Sequence, residues 1–341
     1  MAEPTAERPP DALAGRFAGC LLGCAIGDAL GMPTEGMSPR EIQARYGRLT
    51  DFHPSPTGGV VGPEGPIGVQ GGMGLAAGQY TDDTQMMLCL AEQIAQDGQF
   101  SPEATARRFV RWYYAQPRRP GRACIDACHR LIEGVPWSES GGQGEAGSGA
   151  AMRVMPIGLR YFRDLAALKR GAAESAIITH RDSRAIAGAV AIAYAVALAL
   201  GAGVDLQGGV FLGQVADFAA DMDERVVPAI AQAQRLLADD PEEALTKLGT
   251  GGSVMEAVPA ALYCFARSPG DFEGTVLRAA NAGGDTDTIG AMAGAISGAL
   301  NGVNSLPARF RDHVEGADHL RQVALKLYRH TTGSASASAE R

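Results

Sequence analysis

Apolar residues recur at helical spacing along almost the whole chain of 341 residues. This spacing places apolar side chains on one face of a helix, and it predicts twelve helices. Alternation of Val, Ile and Thr with polar residues, which is typical of strands, is scarce. We therefore expect an all-α fold. The predicted helices span residues 14–30, 83–95, 102–114, 122–132, 165–176, 185–204, 214–220, 228–237, 253–267, 272–280, 288–300 and 317–328.

The helix predicted from Ala185 onward is uncharged over twenty residues, which is long enough to cross a bilayer. It consists mostly of Ala and Val and lacks aromatic belts, and the mean hydropathy of the chain is −0.04. We interpret it as a buried central helix and expect no membrane association. Because no repeat or linker divides the chain, we expect one domain over residues 12–330, with disordered tails at 1–11 and 331–341.

The charge and the cysteines of the chain indicate which partners it can bind and in which cellular compartment it is expected. The chain has 30 basic and 38 acidic residues, a net charge of −8, which argues against nucleic-acid binding. The N-terminus shows no basic segment followed by an apolar one, so we predict a cytoplasmic protein whose six cysteines are thiols. Cys124, Cys128 and His129 lack the remaining ligands of a zinc site, which favours plain packing.

Two acidic segments about two hundred residues apart carry the strongest chemical signal. They read TDDT at residues 81–84 and DTDT at 285–288, and each precedes an apolar helix. Asp and Thr are good helix caps, but one cap needs only one such residue. With Glu35 the segments bring five carboxylates, which repel each other unless cations neutralise them. Mg²⁺ or Mn²⁺ prefers such oxygen ligands, so capping and a two-metal site remain as alternatives.

Five motifs together resemble the ADP-ribosylglycohydrolase family over nearly the whole chain. They are GCAIGDALGMPTEG, YTDDTQMMLCLAE, GSGAAMRVMPIGL, ITHRDSRAIAGA and NAGGDTDTIGAMAGAISGAL, in that order. The resemblance implies a compact orthogonal bundle of helices with a binuclear magnesium or manganese centre at the bottom of a cleft. It also implies that the metal ligands are Thr81, Asp82, Asp83, Asp285, Asp287 and Thr288.

The same resemblance assigns a substrate-binding loop and a histidine. Gly147, Ser148, Gly149 and Met152 match the diphosphate-binding loop of the family, where glycines let backbone N–H groups face phosphate oxygens. A glycine-rich turn that only starts a helix is the alternative. His180 matches a histidine near the ribose, although a lone histidine at a helix start is more often structural, so both interpretations stay open.

The candidates for acid or base catalysis are Glu35, Asp83 and Asp126. Asp126 matches an aspartate of arginine-directed relatives, but the Ile-Gly that follows it there is missing here. The aromatic and basic residues from Trp112 to Arg122 fit recognition of adenine or an acidic partner, and a solvated loop is the favoured interpretation.

The expected function is therefore metal-dependent removal of ADP-ribose from a modified protein side chain, with arginine as the preferred linkage. Hydrolysis of serine-linked ADP-ribose or O-acetyl-ADP-ribose is an alternative, and so is a non-catalytic regulator that binds ADP-ribose. The expected partner is an ADP-ribosylated protein or a small ADP-ribose conjugate, the expected source is bacterial, and the protein is expected to be a monomer. The loop at residues 54–80, with nine glycines, is expected to be a lid over the cleft.

Overall fold

The computed structural model describes residues 10–55, 61–62, 65–66, 74–115, 117–144, 146–203 and 206–338. Seventeen α-helices lie in these ranges, together with two short 3₁₀ segments and a pair of two-residue antiparallel strands. The predicted all-α fold is confirmed. The elements are α1 (Pro10–Gly31), α2 (Pro39–Tyr46), β1 (Val61–Gly62), β2 (Gly65–Pro66), α3 (Asp82–Asp97), α4 (Pro102–Tyr114), α5 (Arg122–Ile132), α6 (Trp137–Ser140), the 3₁₀ segment Ser148–Arg153, α7 (Met155–Arg160), α8 (Leu165–Ile177), α9 (Ser183–Gly201), α10 (Gly208–Ala219), α11 (Val226–Arg235), α12 (Pro241–Leu248), α13 (Val254–Ala266), α14 (Phe272–Ala280), α15 (Thr286–Asn301), the 3₁₀ segment Val303–Ser305, α16 (Ala308–Arg311) and α17 (Ala317–Ser338).

Helices α1 and α15 form the most extensive helix pair of the described chain, and glycines make their contact close. Glycines recur every fourth residue along one face of each helix. A Cβ atom built on Gly23 would lie 2.2 Å from the carbonyl oxygen of Gly294, and one on Gly27 would lie 1.9 Å from that of Gly290. Any larger side chain at these positions would force the backbones apart. The antiparallel pairing places the end of α1 beside the start of α15.

Helix α9 occupies the interior, as predicted for the uncharged run. It packs on α8, α15, α7 and α10, and thirteen of its nineteen residues are buried. By length and composition, residues Ala12–Gly31 and Ser183–Gly201 could each span a membrane, and both windows are mostly buried inside the protein, at 78% and 72%. Such burial is what core helices of α-helical proteins show.

The last helix extends further than the sequence predicts. Helix α17 continues to Ser338, into the segment predicted to be a disordered tail. No proline interrupts this segment, and the Thr331 and Thr332 hydroxyls donate to carbonyls four residues earlier, as helical residues do. Residues 1–9 and, within the predicted lid, residues 56–60, 63–64 and 67–73 lie outside the described residues.

Candidate functional site

The two acidic segments meet at the helix starts that the sequence predicts. Thr81 is the N-cap of α3 and Asp285 is the N-cap of α15, but neither side chain makes a capping hydrogen bond. Capping therefore does not explain the acidic residues. The segment before Asp285 is held by backbone pairing, because the N–H of Gly284 donates to Met37 O at 2.9 Å and the N–H of Gly36 donates to Gly284 O at 2.8 Å.

Three buried carboxylates form a cluster that could bind a metal ion. One oxygen each of Asp28, Asp83 and Asp287 lies within 4.8 Å of the others. These side chains are 0%, 2% and 3% exposed, and Oδ1 of Asp83 has no hydrogen-bond partner. A buried carboxylate oxygen without a partner is costly unless a cation or proton compensates it. The oxygen donor set, the burial and the unpartnered oxygen all fit a hard divalent cation.

Asp28 was not among the residues expected at the site. It lies in α1, and its carboxylate accepts hydrogen bonds from the N–H and hydroxyl groups of both Thr81 and Thr84, at 2.7–3.1 Å. Thr81 Oγ1 also lies 3.1 Å from Asp83 Oδ2. Asp28 thus fixes the first turn of α3, while its own carboxylate belongs to the cluster. An aspartate within an apolar glycine-rich helix, GCAIGDALG, was the signal available in the sequence.

Burial and mutual repulsion perturb all the carboxylates of these segments. Burial raises the pKa of Asp28 and that of Asp285 to about 6. It raises the pKa of Asp82, Asp83 and Asp287 well above the ordinary value, and the neighbouring carboxylates add to the rise. A divalent cation would reverse this effect, since it favours the charged form of every carboxylate around it.

A cavity of about 300 Å³ joins the acidic segments to the predicted diphosphate-binding loop, which we call the glycine loop and which contains Gly147, Ser148, Gly149 and Met152. Its wall contains all the predicted site residues except Thr81 and Asp126. The predicted residues that line it are Glu35, Asp82, Asp83, Gly147, Ser148, Gly149, Met152, His180, Asp285, Asp287 and Thr288. Thr81 is fully buried beneath the wall, where it contacts Asp28 and Asp83.

Asp126 does not line the cavity. It lies on α5, one turn after Arg122, and its carboxylate is 3.5 Å from the Arg122 guanidinium. Arg122 itself lines the cavity, so Asp126 is placed behind a residue of the rim. An acid or base role for Asp126 has no support from this geometry. Cys124 and Cys128 are buried free thiols. His129, on the same helix, forms a hydrogen bond with the Tyr113 hydroxyl.

The glycine loop is a 3₁₀ segment tied to both sides of the cavity. The hydroxyl of Ser148 donates to Asp285 Oδ2 at 3.1 Å, and its N–H donates to Gly252 O at 3.0 Å. This N–H is therefore engaged within the protein. The N–H groups in the first turn of a helix have no partner within that helix. The N–H groups that follow Ser148 are therefore the ones that can face a ligand.

Arg153 connects this loop to His180. Its buried guanidinium donates to Gly149 O at 2.7 Å and to Thr179 Oγ1 at 2.7 Å. Thr179 Oγ1 lies 2.8 Å from Nδ1 of His180. Burial lowers the pKa of His180 to about 3, and the nearby Arg153 charge acts in the same direction, so the imidazole is neutral at pH 7.

The loop between α4 and α5 is not the solvated loop that the sequence favoured. Arg118 pairs with Glu315, and Arg119 donates to Glu35 Oε2 and to Met32 O, both at 2.7 Å. Arg119 also has a left-handed backbone with φ of 49°, which is uncommon for a residue other than glycine. Arg119 lines the cavity, and its basic neighbourhood was the signal available in the sequence.

Comparisons with known proteins agree with this arrangement. Residues 9–337 match the family model described as ADP-ribosylglycohydrolase. The chain is 29% identical to ADP-ribosylhydrolase ARH3 from Danio rerio, over 73% of this chain and 77% of the relative. It is 27% identical to ADP-ribosylarginine hydrolase Tri1 from Pseudomonas putida, over 74% of this chain and 67% of the relative.

A solved structure titled ADP-ribosylglycohydrolase-related protein complex is also similar, with a TM-score of 0.75 and 29% identity. The similarity covers 94% of this chain and 99% of the solved one. The predicted enzyme class, a hydrolase of the glycosidic bonds of ADP-ribose, is confirmed by this family match. The chain therefore belongs to the ADP-ribosylglycohydrolase family.

Proposed function

We propose that this protein removes ADP-ribose from a modified protein side chain with the help of divalent metal ions, and that ADP-ribosyl-arginine is its preferred substrate. The observation that carries the proposal is one cavity that combines buried carboxylates, a glycine loop and a neutral histidine. The likeness to Tri1, named as an ADP-ribosylarginine hydrolase, supports the arginine linkage. Asp126, which first suggested that linkage, lends no support because it lies outside the cavity wall.

The carboxylates are suited to hold the metal ions. Asp28, Asp83 and Asp287 would bind one ion. Asp82, Asp285 and Thr288, which line the cavity together with Asp83 and Asp287, are candidates for a second. Bound there, Mg²⁺ or Mn²⁺ would supply positive charge that orients and acidifies the hydroxyl groups of the ribose. The donor set does not distinguish between these two ions, since both take oxygen ligands.

The other residues of the cavity orient the substrate and handle protons. Cleavage of the bond at the anomeric carbon builds positive charge on the ribose, which the carboxylates around the cavity stabilise. Glu35 lies at the cavity wall, where Arg119 fixes its position by a 2.7 Å ion pair. Glu35 and Asp83 remain our candidates for acid or base catalysis, since both line the cavity.

The test is release of ADP-ribose from an arginine-modified protein in the presence of Mg²⁺ or Mn²⁺. We expect Asp287→Asn to lower kcat/KM at least about 100-fold, because it removes a carboxylate from the cluster. Asp318→Asn is the matched control, since Asp318 is an exposed aspartate that pairs with Arg321 at 2.9 Å. Equal release by Asp287→Asn and the unmodified enzyme would contradict the proposal.

The same assay separates the remaining functions. Serine-linked ADP-ribose and O-acetyl-ADP-ribose are supplied as parallel substrates at equal concentrations. A higher kcat/KM on either one would overturn the arginine preference while leaving the hydrolase in place. Calorimetry that shows ADP-ribose binding without turnover of any of the three substrates would instead identify a non-catalytic regulator.

A further inference from the structure

A second cavity, of about 540 Å³, is lined in part by Asn281 and Ala282, which lie a few residues before Asp285 in the chain. Its wall comes from α2, the start of α12 and the end of α14. Three arginines, Arg40, Arg48 and Arg278, line it against one carboxylate, Glu242. We name it the arginine cavity. Its local charge is positive although the chain has a net charge of −8.

Within the described residues, no ion pair engages the arginines of the arginine cavity. In the parts of the chain that the structure describes, Arg40 and Arg48 have no ion-pair partner, and both are exposed. Arg278 is half-buried and fixed, because its guanidinium donates to Cys264 O and to the Ser268 hydroxyl. The cavity thus offers two uncommitted guanidinium groups beside one that the protein holds in place.

The wall of the cavity is fixed by hydrogen bonds. The side-chain amide of Asn281 donates to Leu49 O at 2.9 Å, and its oxygen accepts the Leu49 N–H at 2.9 Å. These two bonds join the chain after α2 to the end of α14. Asn281 and Gly47, at the turn after α2 with φ of 65°, both line the cavity, so its shape exists without a ligand.

Apolar side chains cover the rest of the wall. Pro39, Ile42, Pro241 and Leu245 line the cavity beside the arginines, and Ile42 and Leu245 are almost fully buried. A cavity of this volume with a few charged groups and apolar walls is of the kind that binds small molecules. Guanidinium groups recognise phosphate through paired N–H donors, while apolar walls accept a flat ring.

We propose that the arginine cavity binds a nucleotide, with its phosphate on the guanidinium groups and its base against the apolar wall. The cavity lined by the acidic segments contains five carboxylates against two arginines, so its charge is opposite to that of the arginine cavity. A free phosphate group is therefore attracted to the arginine cavity without any help from a metal. This proposal goes beyond the hydrolase function and does not depend on it.

The test is calorimetric titration of the full chain with AMP, with equal Mg²⁺ in cell and syringe. We expect the double substitution Arg40→Ala and Arg48→Ala to raise the Kd for AMP at least about tenfold, because two charge-assisted contacts are lost. Arg45→Ala is the matched control, since Arg45 is exposed on the same helix but does not line the cavity. Its Kd should stay within about twofold of the unmodified protein.

Each other outcome overturns a defined part of the proposal. No heat of binding with AMP up to about 1 mM would contradict the site as a whole. An unchanged Kd in the double variant would place AMP in another cavity. Inorganic phosphate that binds as tightly as AMP would remove the role of the apolar wall. None of these measurements of binding depends on hydrolysis. A failure of the nucleotide proposal is therefore distinguishable from a failure of the proposed hydrolase function.

Discussion

At the scale of single residues, His180 shows how a chain of hydrogen bonds can set which ring nitrogen of a histidine carries the proton. A guanidinium only donates, so Thr179 Oγ1 accepts from Arg153, and its own proton is available to His180 Nδ1. A neutral imidazole then carries its proton on Nε2. This nitrogen lies on the side of Gly147 and Gly149, at the cavity wall. The histidine would thus present a fixed donor to an oxygen of the substrate.

The substitution Thr179→Val tests this arrangement. It removes the hydroxyl between Arg153 and His180, so we expect a mixture of His180 tautomers in ¹⁵N NMR where the unmodified protein shows Nε2–H. Loss of one oriented hydrogen bond should raise KM about fivefold with a smaller change in kcat. Thr331→Val is the control, because the Thr331 hydroxyl donates to Leu327 O within its own helix. A protein with the proton on Nδ1 before substitution would contradict the arrangement.

The residues that sequence reasoning missed were of two kinds. Asp28 is a single carboxylate inside a helix, and only the fold brings it to Asp83 and Asp287. Arg119 contacts Glu35 from a left-handed backbone conformation. No residue pattern in the sequence predicts that conformation. The carboxylates of the two acidic segments were predictable, because like charges repeated at helix starts are unusual without a ligand.

At the scale of elements, the glycines of α1 and α15 set the distance between the halves of the carboxylate cluster. Asp28 follows Gly27 on α1, and Asp287 lies in the first turn of α15, whose Gly290 lies against Gly27. The close contact of the two backbones is therefore what brings these carboxylates together. A wider helix pair would separate them.

Gly23→Ala should expose this dependence. The added methyl group would lie 2.2 Å from Gly294 O, a backbone atom that cannot turn away, so we expect a loss of about 1–3 kcal/mol in the free energy of unfolding. Gly15→Ala is the matched control on the same helix, because among the described residues its Cβ would meet only Val303 Cγ1, at an ordinary contact distance of 3.8 Å. Chemical denaturation measures the free energy of unfolding of both variants. Equal stability of the two would show that the helix contact tolerates larger residues.

Three helices with a strong apolar period were predictable to the residue. Helices α4, α5 and α14 begin and end at the predicted residues 102–114, 122–132 and 272–280. Helix α2 was missed, because only Ile42 of its eight residues is buried and no apolar face marks it. The segment Ser148–Arg153 was predicted as a glycine loop, and its 3₁₀ turn depends on contacts with Gly252 and Asp285 far along the chain.

At the scale of the whole molecule, the stability of the protein should depend on pH and metal together. Without metal, the pKa of Asp28 and of Asp285 is about 6 in the folded protein, above the ordinary value of 3.8. Such groups favour the folded state below the unfolded pKa, and this contribution is lost as the pH rises through about 6. A divalent cation binds the charged form, so the stabilisation by metal should increase over the same pH range.

We therefore expect the difference in Tm between Mg²⁺ and EDTA to be near zero at about pH 4 and largest at about pH 8. Surface carboxylates do not affect this difference, since groups such as Asp312, whose pKa its arginine neighbours lower to about 2, titrate alike in both conditions. Asp287→Asn should shrink the difference across the range, and Asp318→Asn should leave it unchanged. Scanning calorimetry at several pH values measures it. A difference that is constant with pH would show that the stabilising ion is not bound by these carboxylates.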